Sequence, residues 1–99
     1  MGEKTGNNKV GPVLSAGDIA DAAIDAIYQD NPDKDVQVEN HHAYIRVETD
    51  TECIIRRETM EANLGRPFHM QELETVLSSF AGQIETSAHY MRFYLTKNL

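Results

Sequence analysis

Ninety-nine residues make one domain's length of chain, and 9 Lys and Arg against 16 Asp and Glu leave a formal charge of −7. Apolar residues at 40%, with six Gly and three Pro, describe a globular fold and exclude collagenous or low-complexity chains. That charge opposes docking on a phosphate backbone, and no Lys/Arg stripe offsets it, so nucleic acid is not an expected partner. Cys53 is alone, which excludes an internal disulfide and fits a reducing compartment. No apolar run approaches the roughly 20 residues that span a bilayer, and the first nine residues lack a secretory apolar region. The expectation is a cytoplasmic protein without a membrane partner.

Residues 1–9 carry no aliphatic anchor beyond Met1 and are expected to be a mobile tail, leaving residues 10–99 as a single domain. Val10–Leu14 is a short apolar strand, and Gly11-Pro12 places it at a sheet edge, because proline cannot donate to a central ladder. Asp18, with Asp21 three residues on, predicts a capped helix start. At about 100° per residue, Ile19, Ala20, Ala22, Ala23, Ile24, Ala26 and Ile27 fill one arc. Asp21, Asp25 and Gln29 take the other side, and Asn31-Pro32 ends the helix. Strands follow at 36–38 and 43–48, the second alternating Ala43, Ile45 and Val47 against Tyr44, Arg46 and Glu48. A further strand covers 53–56. A short helix at 59–64 stops at Gly65, which suits a left-handed cap, before Pro67. The spacing of Met70, Leu73, Val76, Leu77 and Phe80 predicts a second helix over 70–80, although His69 stands where a short polar cap would serve better. Strands at 83–85 and 89–95 complete the chain.

An offset of 46 residues aligns 37–47 with 83–93. Gln37, Glu39, Tyr44 and Arg46 fall on Gln83, Glu85, Tyr90 and Arg92, while Val38, Ile45 and Val47 fall on Ile84, Met91 and Phe93. A helix precedes each copy and a strand precedes each helix. The reading is an α+β fold of duplicated β-α-β-β units, with antiparallel sheets and helices packed on one face. In both copies the Tyr and Arg side chains then share the face opposite the core. There they serve either as cross-strand pairs or as an aromatic-basic docking patch.

Reactive chemistry finds little support. Glu39-Asn40-His41-His42 has a Glu-x-x-His spacing, but it falls at a turn and its second copy has Ala88 in place of His42. Cys53 lies in an apolar Cys-Ile-Ile run, where a thiol behaves as a small hydrophobe. No nucleophile elbow or phosphate-binding glycine loop is present. A small acidic domain lacking such groups acts by binding another protein, either as the regulator of an enzyme or as a general regulatory or scaffold module.

The run Leu64-Gly65-Arg66-Pro67-Phe68-His69-Met70-Gln71-Glu72-Leu73 resembles the effector, or coupling, proteins of multicomponent soluble di-iron monooxygenases. So do Val10-Gly11-Pro12-Val13-Leu14 with Ala16-Gly17-Asp18, Ala43-Tyr44-Ile45-Arg46, Phe80-Ala81-Gly82-Gln83-Ile84 and Arg92-Phe93-Tyr94. The similarity runs from about Val10 to the C-terminus and is nearest to the toluene monooxygenase branch. It implies a cofactor-free, non-catalytic protein that docks on a hydroxylase near its di-iron centre. Such a protein repositions the helices bearing the iron ligands and couples reductant use to hydroxylation of a hydrocarbon or aromatic substrate. It also implies competition with a ferredoxin or reductase component for the hydroxylase. Arg66, Phe68 and Gln71 in the most specific motif, with Tyr44 and Arg46 on the second face, are the expected interface residues. Against this, Arg66-Pro67-Phe68 also reads as a tight helix-to-helix corner, and for Phe68 a place in the core is the favoured reading.

Overall fold

The structure, a computed structural model, describes residues 8–96. Along the chain lie β1 (Lys9–Ser15), α1 (Asp18–Asp30), β2 (Gln37–Asn40), β3 (Tyr44–Asp50), β4 (Glu52–Arg56), α2 (Arg57–Leu64), α3 (Met70–Val76), β5 (Leu77–Ala81), β6 (Gln83–Thr86) and β7 (Tyr90–Tyr94). The strands form two antiparallel sheets, ordered β2-β3-β1-β5 and β4-β7-β6. The expected α+β class holds.

The duplication is visible in the hydrogen-bonded register. Gln37 pairs with Glu48 and Glu39 with Arg46 in the first hairpin; Gln83 pairs with Tyr94 and Glu85 with Arg92 in the second. Adding 46 to each first-half number yields its second-half counterpart. Each second hairpin strand also pairs with the strand that opens its half, so Arg46 faces Val13 and Arg92 faces Ile54. The inward residues Ile45, Val47, Met91 and Phe93 are all buried, as alternation requires.

α1 buries Ala20, Ala22, Ala23, Ala26 and Ile27 and packs against α2, α3 and β4. Its alanines permit that close approach, while Asp21, Asp25 and Gln29 face solvent. Asn31 fixes its far end. The buried side-chain amide donates to the Ile27 carbonyl at 2.8 Å and the Ile54 carbonyl at 2.9 Å, and its oxygen accepts the Ile54 N–H at 3.0 Å. One side chain thereby closes the helix and fastens it to β4.

Four expectations need correction. β1 is central, flanked by β3 and β5. Proline is accommodated there because the β1–β3 pairing runs from Lys9↔Asp50 and Val10↔Thr49 straight to Val13↔Arg46, leaving Gly11 and Pro12 out of the ladder. Gly11, at φ 147°, is required, since a Cβ would meet the Val47 carbonyl oxygen at 2.1 Å. The helix expected over 70–80 ends at Val76, and Leu77–Ala81 is β5, paired with β1. Leu77 and Phe80 satisfy helical spacing, but Ser78-Ser79 has weak helix preference and β1 offers an unpaired edge. α1 begins at Asp18 after Gly17, with no side-chain cap, so Asp18 acts only through its charge in the first turn. The folded chain also begins before residue 10: Asn8 accepts the Thr51 N–H at 2.8 Å and Lys9 pairs with Asp50. The rest of the expected tail, residues 1–7, lies outside the described residues.

Candidate functional site

The outer face of the four-stranded sheet carries an open groove. Register places Glu39, Arg46, Val13 and Ser79 in one cross-strand row. Tyr44 and Ser15 share the next row on one side, where the Ser15 and Ser78 hydroxyls lie 3.1 Å apart. Gly11 and Ala81 pair on the other side. Gly, Ala, Ser and Val make a low floor, while Tyr44 and Phe80 stand at its borders, each 40% exposed. The result is a groove of about 310 Å³ bordered by Tyr44, Arg46, Glu48 and Phe80. Aromatic rims around a partly apolar floor, with one arginine, are what protein interfaces favour at their centres.

The repeat supplies an internal control for this surface. On the second sheet, Arg92 is held by Glu52 and by Glu85 at 3.0 Å, and lies 4.3 Å over the Tyr94 ring. The Tyr90 hydroxyl donates to Glu85 at 2.8 Å. The Glu85 carboxyl is held below its ordinary value by the Tyr90 hydroxyl and then by Arg92, while the same bond raises Tyr90. That face satisfies itself. Arg46, the equivalent of Arg92, only approaches Glu39 at 3.5 Å and Glu48 at 3.8 Å, and Tyr44 stacks on His41 at 4.9 Å instead of bonding a carboxylate. Loose surface pairs of this kind contribute about 0–1 kcal/mol and are readily exchanged for a partner's groups.

The α2–α3 corner holds the remaining expected interface residues. Gly65 takes the left-handed cap as expected, at φ 71°. Phe68 is 2% exposed, so its ring lies in the core, as the corner reading of this motif has it, and not on the surface where the interface expectation put it. Arg66 lies above it, 5.8 Å from the ring centroid, and reaches Glu72 through two nitrogens at 3.1 and 3.3 Å. Glu72 also accepts the His69 N–H at 3.1 Å and donates its own N–H to the His69 carbonyl at 2.8 Å. The start of α3 is therefore organised by Glu72 from inside the helix, and His69 need not cap it. Arg66 first, then the His69 amide, holds the Glu72 carboxyl below its ordinary value. Gln71 is exposed. Tyr44 and Arg46 border the groove while Arg66 and Gln71 do not, so the structure yields two groups and not one patch.

Sequence reasoning missed Gly11, Val13, Ser78, Ser79 and Phe80 as groove residues. Placing 77–80 in a helix removed the strand that forms one bank. His41 and His42 occupy the β2–β3 turn, where the His42 N–H bonds the Asn40 side chain at 2.8 Å. Cys53 is fully buried, and desolvation pushes its thiol up to about 12, so it behaves as a hydrophobe.

Comparison with known proteins places the chain in a family. The alkene monooxygenase system effector subunit of Xanthobacter autotrophicus (strain ATCC BAA-1158 / Py2) is 46% identical over 87 residues, covering 88% of this chain and 86% of its own. The phenol 2-monooxygenase stimulatory component DmpM of Pseudomonas sp. (strain CF600) is 41% identical over 68 residues, covering 69% and 73%. Among solved structures, a chain of a phenol hydroxylase–regulatory protein complex superposes with TM-score 0.78 at 28% identity, over 89% of this chain and 99% of that one. Regulatory protein B of soluble methane monooxygenase shares the fold, with TM-score 0.65 at 20% identity, over 92% of this chain and 67% of that one. The MmoB/DmpM family model matches residues 8–94, and the chain belongs to that family.

Proposed function

We propose that this chain is the effector component of a multicomponent di-iron monooxygenase: it binds the hydroxylase and tunes its active site without turning over substrate itself. The observation that carries this reading is the family match across residues 8–94, joined to a fold shared over nearly the whole length of a hydroxylase-bound regulatory chain. A general scaffold module unrelated to oxygenases does not account for that match.

Regulation of this kind needs only unequal affinity. An effector that binds one hydroxylase conformation more tightly by about 1–3 kcal/mol shifts the equilibrium between conformations some 5- to 150-fold. The open face around Tyr44 and Arg46 is the principal contact in this reading, with Arg66 and Gln71 as a second one. The substrate assigned is an aromatic hydrocarbon, with toluene the specific candidate. A ferredoxin or reductase competes for the hydroxylase, and the complex works in the cytoplasm.

Titration of the hydroxylase with the protein tests the assignment. Tyr44→Ala with Arg46→Ala weakens binding by about tenfold or more, as loss of interface anchors does. Arg66→Ala with Gln71→Ala weakens it less. Both double variants keep nearly the parent melting temperature. Binding of all variants at parental affinity would remove these residues from the interface.

A further inference from the structure

The chain carries many more carboxylates than cations, so each arginine should find an acidic partner. Arg46, Arg66 and Arg92 do. Arg56 and Arg57 do not: among the described residues, neither side chain forms an ion pair or donates a hydrogen bond. The two arginines are consecutive at the β4–α2 junction, and together with Glu58, His89 and Tyr90 they line a polar pocket of about 160 Å³. The Arg57 Nε is buried and makes no hydrogen bond. A buried N–H donor left unmatched is costly, and in native proteins it marks a strained site or one that takes an ordered water or an ion.

The frame of this pocket is tied together by backbone pairing and side-chain hydrogen bonds. Arg56 pairs with Tyr90 across β4 and β7, and the Arg57 N–H donates to the His89 carbonyl at 2.8 Å. The nearest acid on the neighbouring helix, Asp30, is already engaged by the Arg56 backbone N–H at 2.9 Å and the Thr59 hydroxyl at 2.7 Å. The Tyr90 hydroxyl is turned to Glu85, which leaves its ring as a wall. Glu58, the pocket's own carboxylate, forms no ion pair with either arginine.

We infer that Arg56, Arg57 and His89 bind a phosphate dianion. Two guanidinium groups offer planar forks matched to phosphate oxygens, and the imidazole adds a third donor. One carboxylate would neutralise only one of the two arginines, so a doubly charged oxyanion is the better fit. The site lies apart from the Tyr44/Arg46 groove and does not depend on the assignment of that groove.

The test is a titration of the full chain with inorganic phosphate at constant ionic strength, followed by amide and arginine Nε–Hε resonances. Glycerol phosphate in a parallel titration distinguishes a free ion from a phosphomonoester. Saturable shifts confined to Arg56, Arg57, His89 and Tyr90 are expected with one or both. Arg57→Gln and Arg56→Gln each weaken the response at least tenfold, and Arg66→Gln leaves it unchanged. The Arg56 variant secures the test if Arg57→Gln perturbs the start of α2. The inference is overturned if neither anion gives saturable local shifts, if acetate gives the same shifts at the same concentrations, or if the response survives both pocket variants.

Discussion

Phe68 decides whether the motif Arg66-Pro67-Phe68 is a contact surface or a corner of the core. Its ring is 2% exposed, so truncation to alanine removes nearly the full burial of a phenyl group and leaves a cavity in the core. Such substitutions cost about 3–5 kcal/mol. The Arg66 guanidinium, 5.8 Å from the ring centroid, loses about 0.5–1 kcal/mol more at most, being partly exposed. Domains of this size carry about 5–15 kcal/mol in total, so Phe68→Ala should remain folded but much weakened. At about 4–8 °C per kcal/mol, the melting temperature falls by more than about 12 °C. Urea unfolding followed by circular dichroism measures the loss, and hydroxylase titration at a temperature where the variant is folded measures affinity. Stability should fall while affinity holds. Stability within about 1 kcal/mol of the parent, with binding lost, would refute the core assignment and return Phe68 to the interface.

Asn31→Ala leaves the Ile54 carbonyl and N–H unmatched, while the Ile27 carbonyl keeps the backbone N–H of residue 31, at about 1–3 kcal/mol for each unmatched group that water cannot reach; hydrogen exchange should accelerate first at the α1–β4 contact. Gly11→Ala drives a methyl group into the β3 backbone at Val47 and costs at least about 1–3 kcal/mol in strain, read as a lower urea midpoint. On the acid side, the depressed Glu85 carboxyl contributes stability that is present above the ordinary carboxylate value and lost as pH falls through the folded value. Tyr90→Phe removes the main cause of that depression, so acid unfolding monitored by circular dichroism should shift to higher pH. Cys53 should ignore a thiol reagent at pH 8 until the chain is unfolded, because burial holds the thiol protonated up to about 12.

The strands that could be read from sequence are those whose pattern is local. β3 and β7 alternate cleanly, and the 46-residue offset anticipated that Glu39↔Arg46 and Glu85↔Arg92 occupy equivalent ladder positions. Which copy of the Tyr/Arg face stays open was not legible, since it depends on Glu52 reaching Arg92 from β4 and on Glu85 meeting Tyr90. β5 was hidden for a related reason. Leu77 and Phe80 fit a helical stripe as well as a strand, and only pairing with β1, more than sixty residues earlier in the chain, decides between them. The central place of β1 was obscured by Pro12, because sequence cannot show that the ladder skips the residues that lack a donor or a side chain. The capping of α3 was partly legible: Glu72 stands three residues after His69, and it was the acid, not the residue at the cap, that organised the turn.

The central claim is that this protein changes another protein's reactivity by binding it. The most direct measurement is hydroxylation by the reconstituted monooxygenase, with product formed per reductant consumed recorded as this chain is titrated in. The account predicts a saturable rise in coupling and a changed product ratio with the chain present, and no product from the chain alone. Identical rate, coupling and product ratio at every concentration would contradict it.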